Sequence, residues 1–176
     1  MAKMISLTID GRPVSVPDGT LIVNAAKQIG IDIPVFCFHP KMEPVGMCRQ
    51  CLVELGRPMI DRATGKPVLE ADGSPKIQFM PKLETACTNT AAEGLVILTQ
   101  TDKVKAAQKE VVELLLTSHP LDCPVCDKGG ECELQDMVFT YGADKSRFAE
   151  EKRHQPEQKW SEAVYYDAPR CILCFR

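Results

Sequence analysis

The chain lacks any long hydrophobic run. Its longest compact apolar stretch is Leu95-Val96-Ile97-Leu98, against the roughly 20 apolar residues that a bilayer-crossing helix needs, so membrane association is expected only through a partner and not by direct insertion. Basic charge is short as well: 21 Lys and Arg face 24 Asp and Glu, a formal net charge of -3. No Lys/Arg cluster with interleaved aromatics is present to grip phosphates, and nucleic-acid binding is not expected. None of the glycines falls into a GxGxxG fingerprint, which leaves no dinucleotide cradle. Met1-Ala2-Lys3-Met4 runs straight into an alternating pattern. The charged start, apolar core and cleavage site of a secretory signal are missing, so a cytoplasmic location is expected. Ser, His and Asp residues show no arrangement for nucleophilic catalysis.

Cysteine, by contrast, is plentiful. The chain has 176 residues, 44% hydrophobic and 26% charged, which suits one ordinary globular domain or two small ones. Nine cysteines is an odd number, and thiols stay reduced in the cytosol. Metal binding therefore explains their clustering better than a disulfide framework does.

The alternation of Ile5, Leu7 and Ile9 with Ser6, Thr8 and Asp10, the Asp10-Gly11 punctuation and Val14-Ser15-Val16 predict an opening β-hairpin. Leu21 to Ile29 predict a short helix with Ile22, Ala26 and Ile29 on one face and Gly30 as a left-handed stop. The stretch 31–46 is irregular and proline-punctuated. Leu52 to Leu55 read as a strand, and Gly56 to Pro75, with Asp72-Gly73, as a polar hairpin excursion before Lys76 to Met80. Leu95 to Thr99 read as a buried closing strand. Thr101 or Asp102 can cap a helix striped by Val104, Ala107, Val111, Leu114 and Leu115 and ending before His119-Pro120. Asp122 to Gly130 read as a loop, Leu134, Met137, Val138 and Tyr141 as a further helix, and the polar stretch Lys145 to Lys159 as a connector.

Two complete donor sets stand along this plan. Cys37, Cys48, Cys51 and Cys87 are separated by ten, two and thirty-five residues, three of them from one loop. A two-iron cluster needs four converging thiolates, and Cys48-x-x-Cys51 places two sulfurs close together. Gly46 would let backbone N–H groups approach the inorganic sulfides. Four cysteines also make a zinc site, although zinc more often draws on two separated pairs. The second set is His119, Cys123, Cys126 and Cys132, with spacings of three, two and five. Three cysteines leave one iron of a four-iron cluster unfilled, and the His119 imidazole could complete it. Gly129 and Gly130 permit tight wrapping, and the next helix would aim its positive N-terminus at an anionic cluster. A zinc site of three cysteines and one histidine remains open on ligand types alone. Replacing a thiolate by neutral imidazole removes about one negative charge, which would raise the potential of a cluster held there.

Cys171 and Cys174 begin a CxxC run that bacterial-type four-iron sites use, but Arg176 ends the sequence after two cysteines. A fragment of a longer protein is the favoured explanation, a terminal redox CxxC the other. His39 and His154 read as structural residues, one beside Cys37 and one in a charged stretch.

These residues, above all the segment His119 to Asp136, are similar to the N-terminal region of the large iron-sulfur subunit of respiratory complex I, the G subunit of NADH-quinone oxidoreductase, over essentially the whole chain. The resemblance implies an α+β fold: a ferredoxin-like β-grasp 2Fe-2S domain over 1–100, a linking helix with a small irregular 4Fe-4S domain over 101–160, and the start of an incomplete third domain over 161–176. It implies a 2Fe-2S cluster on Cys37, Cys48, Cys51 and Cys87. It also implies a 4Fe-4S cluster on His119, Cys123, Cys126 and Cys132, and a further 4Fe-4S cluster using Cys171 and Cys174 with cysteines beyond Arg176. The function it implies is one-electron relay between NADH, oxidised at flavin in a neighbouring subunit, and quinone. Substrate conversion would belong to that flavin- and NADH-binding partner and to other iron-sulfur subunits, the complex being peripheral to the inner face of the plasma membrane. The stretch between Cys51 and Cys87 is longer than expected, and the large molybdopterin-enzyme-like region of the family is missing. Related modules occur in NAD-reducing hydrogenases, iron-only hydrogenases and some formate dehydrogenases. A zinc-stabilised binding module is the reading from another class.

Overall fold

The computed structural model describes residues 3–61 and 64–176, so Met1-Ala2 and, within the expected polar excursion, Arg62-Ala63 lie outside the described residues. β1 (Met4–Ile9) and β2 (Arg12–Pro17) pair antiparallel in the register Ile5↔Val16 to Ile9↔Arg12. Asp10 and Gly11 both hold positive φ, 46° and 77°, the two-residue turn whose twist matches a hairpin. The alternation sends Ile5, Leu7, Ile9, Val14 and Val16 to one buried face.

α1 (Ile22–Gln28) packs on that face through Ile22, Val23, Ala25 and Ala26. Gly30 ends it in the left-handed region. β3 (Leu52–Pro58) is longer than the sequence pattern indicates because β4 (Ile77–Phe79) pairs with its far end, Gly56 to Pro58, while β5 (Glu84–Thr85) pairs with Leu52 and Val53. Gly56 in β3 has no room for a Cβ, which would stand 2.5 Å from Ile77 Cγ2. β6 (Val96–Leu98) runs parallel to β1 and antiparallel to β3, giving the order β2-β1-β6-β3-β4 with β5 on β3. The polar excursion folds back by backbone bonds such as Met59 N–H to Lys76 O and Val68 N–H to Met59 O, both 2.8 Å.

Asp10 joins this sheet to the helical region: its carboxylate accepts the Thr99 N–H at 2.7 Å and the Thr99 hydroxyl at 2.5 Å. α2 (Asp102–Leu116) then starts with Thr101 accepting the Val104 N–H at 3.3 Å. Its buried line is Val104, Gln108 and Val112, with Ala107, Val111 and Leu115 less covered, whereas Leu114 is 70% exposed. The expected stripe is thus shifted toward Gln108 and Val112. The shift follows from α2 packing against α3 (Glu133–Tyr141) on one side and β3 on the other.

The connector 145–159 carries little regular structure but is tied to α2. Arg147 clasps Glu113 at 2.5–3.0 Å, and Lys152 Nζ donates to the Leu116 carbonyl. A small hairpin of β7 (Gln158–Lys159) and β8 (Tyr165–Tyr166) precedes the C-terminal turn, with Trp160 stacked on Tyr166 at 4.6 Å.

Candidate metal centres

The loop after α1 enters the core through Ile33 and Phe36, which sets Cys37 inside, while the start of β3 sets Cys51 inside. Cys87 comes from a turn that α1 itself holds: the Ile22 and Val23 N–H groups at the helix start donate to Asn89 O at 3.0 Å and Ala86 O at 3.1 Å. Ala86 N–H in turn donates to Cys51 O at 3.0 Å. Gly46 sits at φ 67° with the Thr88 methyl 2.9 Å from where a Cβ would be. The glycine therefore leaves room for the loop to close on the Cys87 turn.

All four sulfurs of the first set interact. Cys48 hydrogen-bonds Cys37 and Cys51 hydrogen-bonds Cys87, and the charges of Cys51, Cys37 and Cys48 all bear on Cys87. Burial pushes the Cys48 thiol up, while the N–H groups of Cys37, Gln50 and Phe36 aim at its sulfur and oppose the rise. The bond from Cys87 draws Cys51 down to about 7, helped by the N–H groups of Cys87, Ala86 and Cys51 against burial. Its partner Cys87 is pushed up, first by that bond, then by burial and by the neighbouring thiolates. The arrangement is two thiol pairs ringed by backbone donors, a donor set suited to a two-iron group with two thiolates on each iron.

The second set opens on one cavity of about 220 Å³, to which His119, Cys123, Cys126 and Cys132 all contribute along with Leu116, Leu134 and Phe139. α2 delivers His119 just beyond its C-terminus, a single 3-10 turn spans Cys123–Val125, and Cys132 is the N-cap of α3. That helix therefore begins at a candidate ligand. Gly129 is enforced by crowding, since a Cβ would lie 2.8 Å from Cys123 O and 3.1 Å from Cys126 O. Burial holds the His119 imidazole below its ordinary pKa, with the nearby cations Lys152 and Arg170 adding to this and Asp122 and Asp167 opposing. A neutral imidazole is the ligating form.

Buried polar atoms without a hydrogen-bond partner are rare in native proteins and mark functional or ion-holding positions. Among the described residues such atoms include both amide atoms of Gln50 and Nδ1 of His119. Gln50 stands inside the Cys48–Cys51 turn and His119 Nδ1 at the cavity, so the residues fit sites that take a bound group. No three His, Cys, Asp or Glu side chains among the described residues are grouped as a single metal ion requires.

Cys171 is exposed and Cys174 half-buried, with the Leu173 N–H 3.4 Å from Cys171 Sγ. His39 serves a turn, its Nδ1 accepting the Lys41 N–H at 3.1 Å, and His154 lies exposed in the connector. Neither joins a donor set. Sequence reasoning passed over Gln50 and a set of charges: Asp122 and Glu133, which adjoin Cys123 and Cys132, and Arg170 and Arg176, which face them. The only signal for them was adjacency to a candidate ligand.

Residues 2–102 match the 2Fe-2S iron-sulfur cluster binding domain, and residues 108–147 match the NADH-ubiquinone oxidoreductase-G iron-sulfur binding region. The chain is 44% identical to the G subunit of NADH-quinone oxidoreductase from Streptomyces coelicolor, covering 98% of this chain and 18% of that protein. It is 40% identical to NADH-quinone oxidoreductase subunit 3 of Thermus thermophilus, covering 98% of this chain and 24% of that protein. It thus spans a quarter or less of the length of these curated relatives. Among solved structures, an NAD+-reducing [NiFe]-hydrogenase in the H2-reduced state aligns with a TM-score of 0.74 at 25% identity, over 97% of this chain and 62% of that one. Among the described residues no helix is long and apolar enough to cross a membrane.

Proposed function

From the premise that this chain belongs to the family of NADH-quinone oxidoreductase G subunits as their N-terminal iron-sulfur region, we propose that it relays single electrons from NADH and flavin toward quinone within a multi-subunit complex. The observation that carries this reading is the opening of His119, Cys123, Cys126 and Cys132 onto one cavity inside the segment matched by the oxidoreductase-G iron-sulfur binding region. The finer fold reading is a ferredoxin-like β-grasp over 1–100, a linking helix and histidine-ligated domain over 101–160, and the start of a third cluster domain over 161–176.

Cys37 with Cys48, and Cys51 with Cys87, would hold a 2Fe-2S cluster. His119, Cys123, Cys126 and Cys132 would hold a 4Fe-4S cluster, and Cys171 and Cys174 would contribute to another. Bound iron-sulfur groups supply reversible one-electron redox chemistry, and the chain supplies ligation, spacing and electrostatics. The N–H groups of Phe36, Cys37 and Gln50 converge on the Cys48 sulfur, and those of Ala86 and Cys87 on Cys51. They stabilise added negative charge at the first set. At the second, burial favours the neutral form of His119, and Leu116, Leu134 and Phe139 give the cavity an apolar lining. Partners would be a flavin- and NADH-binding subunit and other iron-sulfur subunits, on the cytoplasmic side of the plasma membrane.

Anaerobic purification with iron, acid-labile sulfide and zinc quantified, and low-temperature EPR after reduction, tests the reading. About six irons for the two complete sets, with two-iron and four-iron signals, is the expected result. About two zincs and no colour would replace relay with a zinc-stabilised binding module. The similarity to the NAD+-reducing hydrogenase supports a second reading, the iron-sulfur subunit of such an enzyme. Co-purification with a hydrogenase subunit in place of quinone-reducing partners would favour it.

A further inference from the structure

The segment that carries Cys171 and Cys174 is docked on the histidine-containing set at two points. Arg170 Nη2 lies 2.6 Å from Asp122 Oδ2, and Arg176 Nη2 lies 3.1 Å from Glu133 Oε2. Asp122 directly precedes Cys123 and Glu133 directly follows Cys132, so each ion pair grips the residue next to an outermost cysteine of the set. Arg170 also sits 2.8 Å through Nε from Asp167 Oδ2.

The first pair is the more enclosed. Arg170 is 28% and Asp122 34% exposed, whereas Glu133 is 58% exposed, so water and salt screen the Arg170 pair less. The Arg170 charge is felt by both Cys126 and His119, and Asp122 lines the cavity itself.

We propose that Arg170, seconded by Arg176, is a positioning residue for the histidine-containing site: it straps the 161–176 segment over that site and raises the reduction potential of a cluster held there. The inference rests on the proposed relay function. Reduction adds one electron, hence one negative charge, to the bound group. A fixed cation nearby stabilises the reduced form over the oxidised one, and a fixed anion does the reverse. Arg170 and Asp122 therefore pull in opposite directions. Removing the arginine leaves Asp122 and Asp167 opposed near His119 only by Lys152.

The test is an EPR-monitored redox titration of the cluster-loaded protein. The signal of interest is the four-iron signal that moves in His119→Cys, and the two-iron signal serves as internal reference. Arg170→Gln is expected to lower the four-iron midpoint and leave the two-iron midpoint in place. Arg170→Lys, which keeps the charge, should stay near the wild type, Asp122→Asn should raise the midpoint, and Arg176→Gln should lower it by less than Arg170→Gln. An unmoved midpoint in Arg170→Gln overturns the proposal, as does a fall in Arg170→Lys equal to that in Arg170→Gln. Should Arg170→Gln hold no four-iron cluster, the Asp122→Asn/Arg170→Gln double variant decides. Recovery of the signal near the wild-type midpoint supports the proposal, and failure to recover it overturns it. Absence of any such signal in the wild type would instead sink the relay function and this inference with it.

Discussion

The two donor sets are built by opposite strategies. The first is assembled from elements far apart in the chain, with Cys51 and Cys87 buried in the same core as the sheet and α1 and Cys37 buried as well. The second lies within fourteen consecutive residues, its Cys123 exposed and Cys126 and Cys132 half-buried. Its turns are closed chiefly by short-range bonds such as Gly129 N–H to Cys126 O at 2.9 Å. The first site is thus continuous with the hydrophobic core, and its shape persists because the core does. The second has few buried apolar contacts of its own, and local regions of that kind open at low free-energy cost. A bound group there would contribute order as well as receive it.

The largest expected break in this comparison comes from removing one ligand at each place. Cys123→Ala should abolish the four-iron signal and leave the melting of the sheet domain unchanged. Cys87→Ala should abolish the two-iron signal and also lower that melting temperature. EPR combined with circular dichroism melts reads both, and equal effects of the two variants on melting would contradict a difference in how the sites are held.

A pair of glycines sharpens the contrast at smaller scale. Gly46→Ala places a Cβ 2.9 Å from Thr88 Cγ2 at φ 67°, a left-handed cost of about 1–2 kcal/mol for an L-residue. It should lower stability in urea melts by at least that much. Gly129→Ala meets the Cys123 carbonyl oxygen at 2.8 Å and should reduce four-iron occupancy with no loss of sheet stability.

Gln50 offers a smaller and opposite test. It is fully buried with neither amide atom hydrogen-bonded, and a buried unsatisfied polar group costs about 1–3 kcal/mol. Gln50→Leu, similar in size, should stabilise the iron-free sheet domain by about 1 kcal/mol in urea titration, while no gain would show that the amide has a partner in solution. The smallest effect concerns the connector. Its Arg147 holds the Glu113 carboxyl down to about 2 from an ordinary 4.5. A depressed folded-state pKa stabilises above the unfolded value and ceases to as the carboxylate protonates. The clasp should hold above pH 4.5 and be lost as pH falls toward 2, read by fluorescence of the single Trp160 in iron-free protein, with Glu113→Gln removing the transition.

Much of this was legible from residues alone. Asp10-Gly11 announced its turn, the alternation of Ile5, Leu7 and Ile9 its buried face, and Thr101 its cap, because each acts on neighbours one to four positions away. The α2 stripe was read one step off: Leu114 satisfies helical spacing yet stays exposed, since spacing defines a face and only α3 and β3 determine which part of it is covered. The crowding of Gly46 by Thr88 was likewise hidden, because Thr88 lies forty-two positions away.

Residue type and short spacing by themselves marked which side chains are candidate metal donors and that the second set is confined to residues 119–132. Tertiary structure alone decided that the Cys87 turn is fastened by the start of α1, that Gln50 is buried without a partner, and that Arg170 and Arg176 reach Asp122 and Glu133. Short-range geometry is encoded by backbone dihedrals and periodicity, which a sequence displays directly. An ion pair between residues 48 positions apart has no period, and exists only because packing brings the two segments together.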